Sequence, residues 1–119
     1  MIVALAVLFV GGLGAMSRFW VDSLVQARRL GAFPLGTLVV NLGGCFVLGL
    51  LDGLGVSGRA ILLAETATLG SYTTFSTWML ETHRPAQDGD ASLAWKNLLI
   101  SLGAGFAAIV LGRALGRLV

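Results

Sequence analysis

Gly70-Ser71-Tyr72-Thr73-Thr74-Phe75-Ser76-Thr77-Trp78 lies inside an apolar segment that runs roughly from Ile61 to Leu80. That segment is long enough to cross a bilayer. Its centre does not read as a smooth buried helix. Glycine loses the most backbone freedom on ordering, Ser and Thr hydroxyls compete for backbone groups, and β-branched Thr is stiff at χ1. Within a membrane, amides and carbonyls freed by a break are tolerated only where protein, ions or a polar cavity satisfy them. A hydroxyl-rich break in mid-span is therefore a candidate ion site. The alternative is a continuous helix whose Ser and Thr hydroxyls bond back to their own carbonyls.

Composition sets the surroundings of this stretch. Of 119 residues, 56% are hydrophobic and 12% are charged, and the mean hydropathy is +0.89. Those are the values of an integral membrane protein. Residues 1–119 fit one small bundle, with no room for a second domain. A net charge of +2, carried by scattered basic residues, does not argue for nucleic acid. The single cysteine, Cys45, excludes an intrachain disulfide and suggests neither a metal cluster nor a redox pair. The N-terminus lacks the basic region of a signal peptide, so its apolar run is expected to be a retained span.

An all-α membrane protein follows, with four spans expected at roughly 1–25, 33–53, 60–80 and 94–115, the third broken at the quoted stretch. The first span holds Gly11-Gly12-Leu13-Gly14. No strand–loop–helix unit surrounds it, so it reads as a close-packing patch and not a dinucleotide loop. Arg18 lies near the end of this span, four residues before Asp22. It can snorkel to the interface and meet Asp22 on one helix face, or its charge can draw anions to a pore mouth. Arg28, Arg29 and Gly31 mark a polar connection, and Phe33-Pro34 opens the second span.

Asn41 sits near the middle of the second span, among Gly36, Gly43, Gly44 and Gly49. A mid-membrane asparagine is costly unless its amide finds a partner. That partner is either another helix or a passing anion, to which the NH2 can donate. Gly49 and Gly53 are four apart, as are Gly112 and Gly116, a spacing that suits close helix packing. Glu65, on the entry side of the third span, reads either as a buried acid or, as its depth favours, as a group that reaches the interface or a polar partner. Glu81 to Pro85 is expected to end that span, and 87–92 to form a polar loop. Ser101 is the strong polar group of the fourth span, with Asn97 nearer its start.

No nucleophile has a base beside it, and the lone His83 adjoins Arg84 and Pro85, so an enzyme is not expected. The intramembrane polar set is Asn41, Thr73, Thr74, Ser76, Thr77 and Ser101. These are neutral donors and acceptors, suited to passing a dehydrated ion between weak sites. Phe75 and Trp78 are three apart and share a helix face. Their electropositive ring edges can meet a small anion; alternatively, both pack against lipid.

Two runs together carry a resemblance. Phe33-Pro34-Leu35-Gly36-Thr37 followed by Val40-Asn41 and Gly44, then Gly70 and Thr73-Thr74-Phe75-Ser76-Thr77, resemble the bacterial fluoride channel family, Fluc (CrcB). The Gly-rich first span ending in Arg18-Phe19 agrees, and the likeness covers essentially the whole chain. It implies a dimer of four-span subunits in opposite orientations in the plasma membrane, with two narrow pores along their interface. It also implies a structural sodium ion held by the backbone carbonyls of Gly70 and Thr73 and not transported. Asn41, Phe75, Trp78, Thr77 and Ser101 would line the anion pore, and Arg18 would supply charge at its mouth. The implied task is passive fluoride export. Basic residues are nearly balanced between the two expected sides, Arg59, Arg113 and Arg117 against Arg28, Arg29, Arg84 and Lys96 with Arg18 near that end; dual topology would show such a balance, and chance in a chain with eight basic residues gives it too.

The chain departs from the family pattern at three places. Ser71 stands where the family usually has a second Gly, and Trp78 where it usually has Phe. In the fourth span, Ser101 and Gly105 stand where the family usually has Asn and Ser. Some members assemble as pairs of homologous subunits with one degraded pore, so a heterodimer stands beside the homodimer. A small multidrug antiporter is a further four-span dimer, but it needs a carboxylate at the centre of the first span, and none is there.

Overall fold

Six helices form among the residues that the computed structural model describes, which are 1–27, 33–61, 63–65 and 70–119, without the side chains of Gln26 and Ser76. The expected connection at Arg28, Arg29 and Gly31, and parts of the expected third span at 62 and 66–69, lie outside them. The helices are α1 (Ile2–Ala27), α2 (Leu35–Gly53), α3 (Arg59–Ile61), α4 (Gly70–Tyr72), α5 (Phe75–Gln87) and α6 (Ala91–Leu118). No strand occurs among the described residues. By length and composition, α1 over Ile2–Val25, α2 and α6 can each cross a membrane.

Local chemistry sets the helix ends. Pro34, at φ −76°, stands just before the first turn of α2, where a missing N–H costs nothing. After Gly53 the chain turns through Gly55 and Gly58, at φ +70° and +71°, a region open to Gly at no steric cost. Asp90 caps α6 by accepting from the Leu93 N–H at 3.1 Å. The expected end of the third span at 81–85 differs from what is seen, since α5 runs through Pro85 to Gln87. Pro85 lacks only the N–H that would reach back to Glu81. The turn beyond it is closed by the Asp88 N–H on the Arg84 carbonyl at 3.0 Å and the Asp90 N–H on the Pro85 carbonyl at 2.8 Å.

Few large side chains are buried. Among the described residues the buried apolar ones are Val40 and Ala94 alone, while Phe9, Phe19 and Phe106 are each at least 70% exposed. Aromatics turned outward on this scale mark a surface meant for lipid or for another chain. The helices instead meet through small residues. α2 and α6 form the most extensive pair. A Cβ on Gly49 would overlap the Ile109 carbonyl, one on Gly53 the Arg113 carbonyl, and one on Gly112 the Phe46 carbonyl. Backbone against backbone at this range is how helices gain packing where hydrophobic burial gives no advantage. Arg113 and Asp52 also pair at 2.7 Å across α2 and α6, with both side chains about half exposed; such a pair contributes little.

The glycine contact gives the first prediction. Gly112→Val must push α6 away from the Phe46 carbonyl, because backbone cannot yield as a flexible side chain can. Overpacking of this kind costs about 1–3 kcal/mol or more. The variant is expected to melt lower in detergent by circular dichroism, whereas Gly103→Ala, which meets nothing within 4 Å, is expected to melt as wild type.

Candidate functional site

Helix α4 ends at Tyr72 and α5 starts at Phe75, and between them Thr74 is extended, at φ −142° and ψ 123°. A residue in that conformation gives its N–H to neither helical ladder, while its C=O, as the N-cap, starts the ladder of α5 and has a lone pair to spare. One side chain on α2 meets both groups. The Thr74 N–H donates to Asn41 Oδ1 at 2.8 Å, and Asn41 Nδ2 donates to the Thr74 carbonyl at 3.1 Å. The Thr74 hydroxyl then caps α5 by accepting from the Thr77 N–H at 3.3 Å. One amide and one hydroxyl thus satisfy the turn and start the next helix.

Asn41 therefore makes the interhelical bond that its place in the sequence left open. The bond uses one of its two N–H donors, so the other is available to a further partner. α2 reaches this position because it carries glycine opposite the break. A Cβ on Gly44 would overlap Thr73 Cγ2, and one on Gly43 would lie 3.5 Å from the Tyr72 hydroxyl.

A cavity of about 400 Å³ opens beside this pairing. Asn41, Phe75, Trp78 and Ser101 line it together, as do Gly70 and Thr73. Phe75 and Trp78 meet edge to face, with ring centroids 5.7 Å apart and planes at 68°, the arrangement that ring quadrupoles prefer. Thr77 and Arg18 are placed elsewhere. They line a second cavity of about 280 Å³, which Thr74 also borders. Glu65, expected at the interface or on a polar partner, lines the larger cavity, at the end of a wider π-type turn over 63–65. The expected Arg18–Asp22 contact is not made, since Arg18 Nε and Asp22 Oδ1 are both buried without a hydrogen-bond partner.

A second polar chain was not legible as such. Ser101 Oγ donates to Asn97 Oδ1 at 3.3 Å, Asn97 Nδ2 to Thr82 Oγ1 at 2.7 Å, and Thr82 Oγ1 to the Trp78 carbonyl at 2.8 Å. It ties α6 to α5 behind the aromatic pair. Asn97 is 1% exposed, and burial of an amide demands such partners. In the sequence Asn97 follows Lys96, which gave it the look of a span entrance. The spacing of Asn97 and Ser101, four apart on one helix, was the available signal.

Comparison with known proteins places this geometry in context. The profile of the family described as CrcB-like protein, Camphor Resistance (CrcB), matches residues 5–113. The chain is similar to a protein of Mycolicibacterium paratuberculosis named fluoride-specific ion channel FluC 2, 50% identical over 113 residues that cover 95% of this chain and 93% of that one. A protein of the same name from Mycobacterium bovis is 44% identical, over 96% of this chain and 90% of its own. Fluoride-specific ion channel FluC 1 of Symbiobacterium thermophilum is 43% identical, over 89% and 90%.

The Asn41–Thr74 pairing yields the second prediction. Asn41→Leu keeps the bulk but leaves the Thr74 N–H unmet in a half-buried place, at about 1–3 kcal/mol. The variant is expected to lose thermal stability and to show faster amide exchange at Thr74 and the first turn of α5. Exchange equal to wild type there would detach Asn41 from the break.

Proposed function

This chain belongs to the CrcB family, and from that premise we propose that it is a multi-pass membrane channel specific for fluoride, through which the anion leaves the cytoplasm passively. The protein is not an enzyme; the relatives it matches are named as channels. The observation that carries the reading is the Asn41 pairing with the Thr74 backbone, beside a cavity that Phe75, Trp78 and Ser101 share. Asn41 has an N–H to spare and the ring edges are electropositive, while the one O–H of Ser101 is given to Asn97. None carries a full positive charge that would hold the anion fast, which suits conduction. The N-terminal end of α5 opens at the same place, and its dipole favours negative charge.

The four-span count rests on taking α3, α4 and α5 as one span broken at Thr73–Thr74. Residues 62 and 66–69 of that span lie outside the described ones. Two such subunits in opposite orientations would pair through the exposed apolar faces. Gly70 and Thr73, on the α4 side of the break, suit a sodium ion. Both line the larger cavity, and backbone carbonyl oxygens are the hard donors that such a cation takes. Among the described residues no group of His, Cys, Asp and Glu is arranged for a transition metal. When bound, sodium would supply fixed positive charge between the subunits.

One observation favours a second reading, a subunit of a paired channel whose own pore is degraded. Glu65 lines the same cavity as Asn41 and Phe75, and an acidic residue there disfavours an anion. Indole at Trp78 also occupies more of the path than the usual phenyl ring.

The test is efflux from liposomes, read with a fluoride electrode. The chain alone is expected to release fluoride and retain chloride; silence that a second homologous subunit relieves would favour the paired reading. Phe75→Ile keeps apolar bulk and deletes the quadrupole, so flux is expected to fall with the assembly intact, in whichever assembly conducts. Unchanged flux removes the ring-edge role from Phe75. Replacing sodium with a large organic cation is expected to weaken the dimer on size-exclusion chromatography, and an elution profile indifferent to sodium would count against the cation site.

A further inference from the structure

The smaller cavity holds two charged side chains that do not neutralise each other directly. Arg18 and Asp22 are one turn apart on α1, a spacing at which such a pair normally meets. Instead, Arg18 Nε and Asp22 Oδ1 are each buried and without a hydrogen-bond partner, and both residues line the same cavity of about 280 Å³. Thr37 of α2 and Thr74 and Thr77 at the break complete the polar part of the wall. α2 comes close to Asp22 here: a Cβ on Gly36 would overlap Asp22 Oδ1.

What the cavity holds follows from what it lacks. Nε–H needs an acceptor and Oδ1 needs a donor. A bare anion would satisfy the guanidinium and face the carboxylate's like charge; a cation would do the reverse. Water accepts and donates at once, and a roomy cavity with several polar partners is where it is retained. Arg18 and Asp22 together carry no net charge, so the cavity favours neither sign. Thr74 borders this cavity as well as the larger one, which places the smaller cavity beside the proposed anion path.

We propose that Asp22 is a specificity-setting residue of this channel: its carboxylate keeps the Arg18 cavity neutral and hydrated, so that fluoride passing Thr74 is not captured by the guanidinium. The inference rests on the channel reading given above. Arg18 without Asp22 would be a half-buried lone cation next to the path, and a tight site slows an ion that must also leave. With Asp22 present, the space beside the path holds no net charge on which the anion would lodge.

The experiment is a fluoride titration by fluorine NMR of the purified, full-length protein in detergent. Asp22→Asn is expected to bind fluoride on the order of tenfold more tightly than wild type, the size of one unit charge removed at short range and partly screened. Asp22→Ser is expected to do the same, Asp22→Glu to bind as wild type, and Arg18→Gln added to Asp22→Asn to abolish the gain. Unchanged or weaker binding in both Asp22→Asn and Asp22→Ser overturns the proposal. So does failure of both to fold while Asp22→Glu folds, since that assigns Asp22 a structural part only. Wild-type efflux from the same preparation separates the two readings. Efflux with unchanged binding in the variants removes Asp22 alone; absent efflux with tightened binding removes the homomeric channel and leaves the charge effect of Asp22 standing.

Discussion

The pairing of one asparagine amide with one peptide unit is the constraint on which the rest depends. Thr74 is extended between two helices, so its N–H is lost to both, while its C=O starts the ladder of α5. In a bilayer no solvent is at hand to take the N–H. Asn41 supplies an acceptor at 2.8 Å and a donor at 3.1 Å, copying the two bonds that a neighbouring strand would make. The match fixes α2 against the break in register and depth. It also explains the glycines: Gly43 and Gly44 leave α2 no side chain to hold it off Tyr72 and Thr73.

Two cavities of different character then lie on either side of Thr74. The larger is bounded by rings, an amide and hydroxyls, with Glu65 as its charged member. The smaller is bounded by Arg18, Asp22 and three threonines. Apolar walls lower the local dielectric, so a few neutral donors in the first act more strongly than they would in water. In the second, Arg18 and Asp22 line one space with no hydrogen bond to Nε or Oδ1. The Ser101–Asn97–Thr82 chain stiffens the outer wall of the first by tying α6 to the backbone of Trp78. An aromatic pair held edge to face at 5.7 Å is thereby supported from its backbone and not only through its rings.

Packing follows a rule unlike that of a water-soluble domain. Val40 and Ala94 are the buried apolar residues among the described ones, and large aromatics face outward. Removing apolar surface from lipid gains nothing, so helices associate where their backbones can touch. Gly49, Gly53 and Gly112 do this along α2 and α6. The surface left over has the chemistry of lipid tails or of another apolar face.

By itself the sequence determined the class of molecule and its apolar helices. Those are set by local composition: long Leu, Val and Ala runs, and Pro34 before a first turn. It also marked Asn41, Phe75, Trp78 and Ser101, because polar or aromatic residues stand out against an apolar background. Tertiary structure decided what each one does there. Asn41 had two open partners in the sequence, and only the approach of α2 to Thr74 chose the backbone. Arg18 and Asp22 have the spacing of an ion pair, yet a cavity between α1, α2 and the break keeps their Nε and Oδ1 apart. Thr82 and Asn97 lie on different helices, so their bond has no periodicity to betray it. Glu65 reads as an interface residue by its distance from the span centre, and the π-type turn at 63–65 brings it into the cavity instead. Spacing along one helix is written in the chain; distance between helices is set only when small residues let them close.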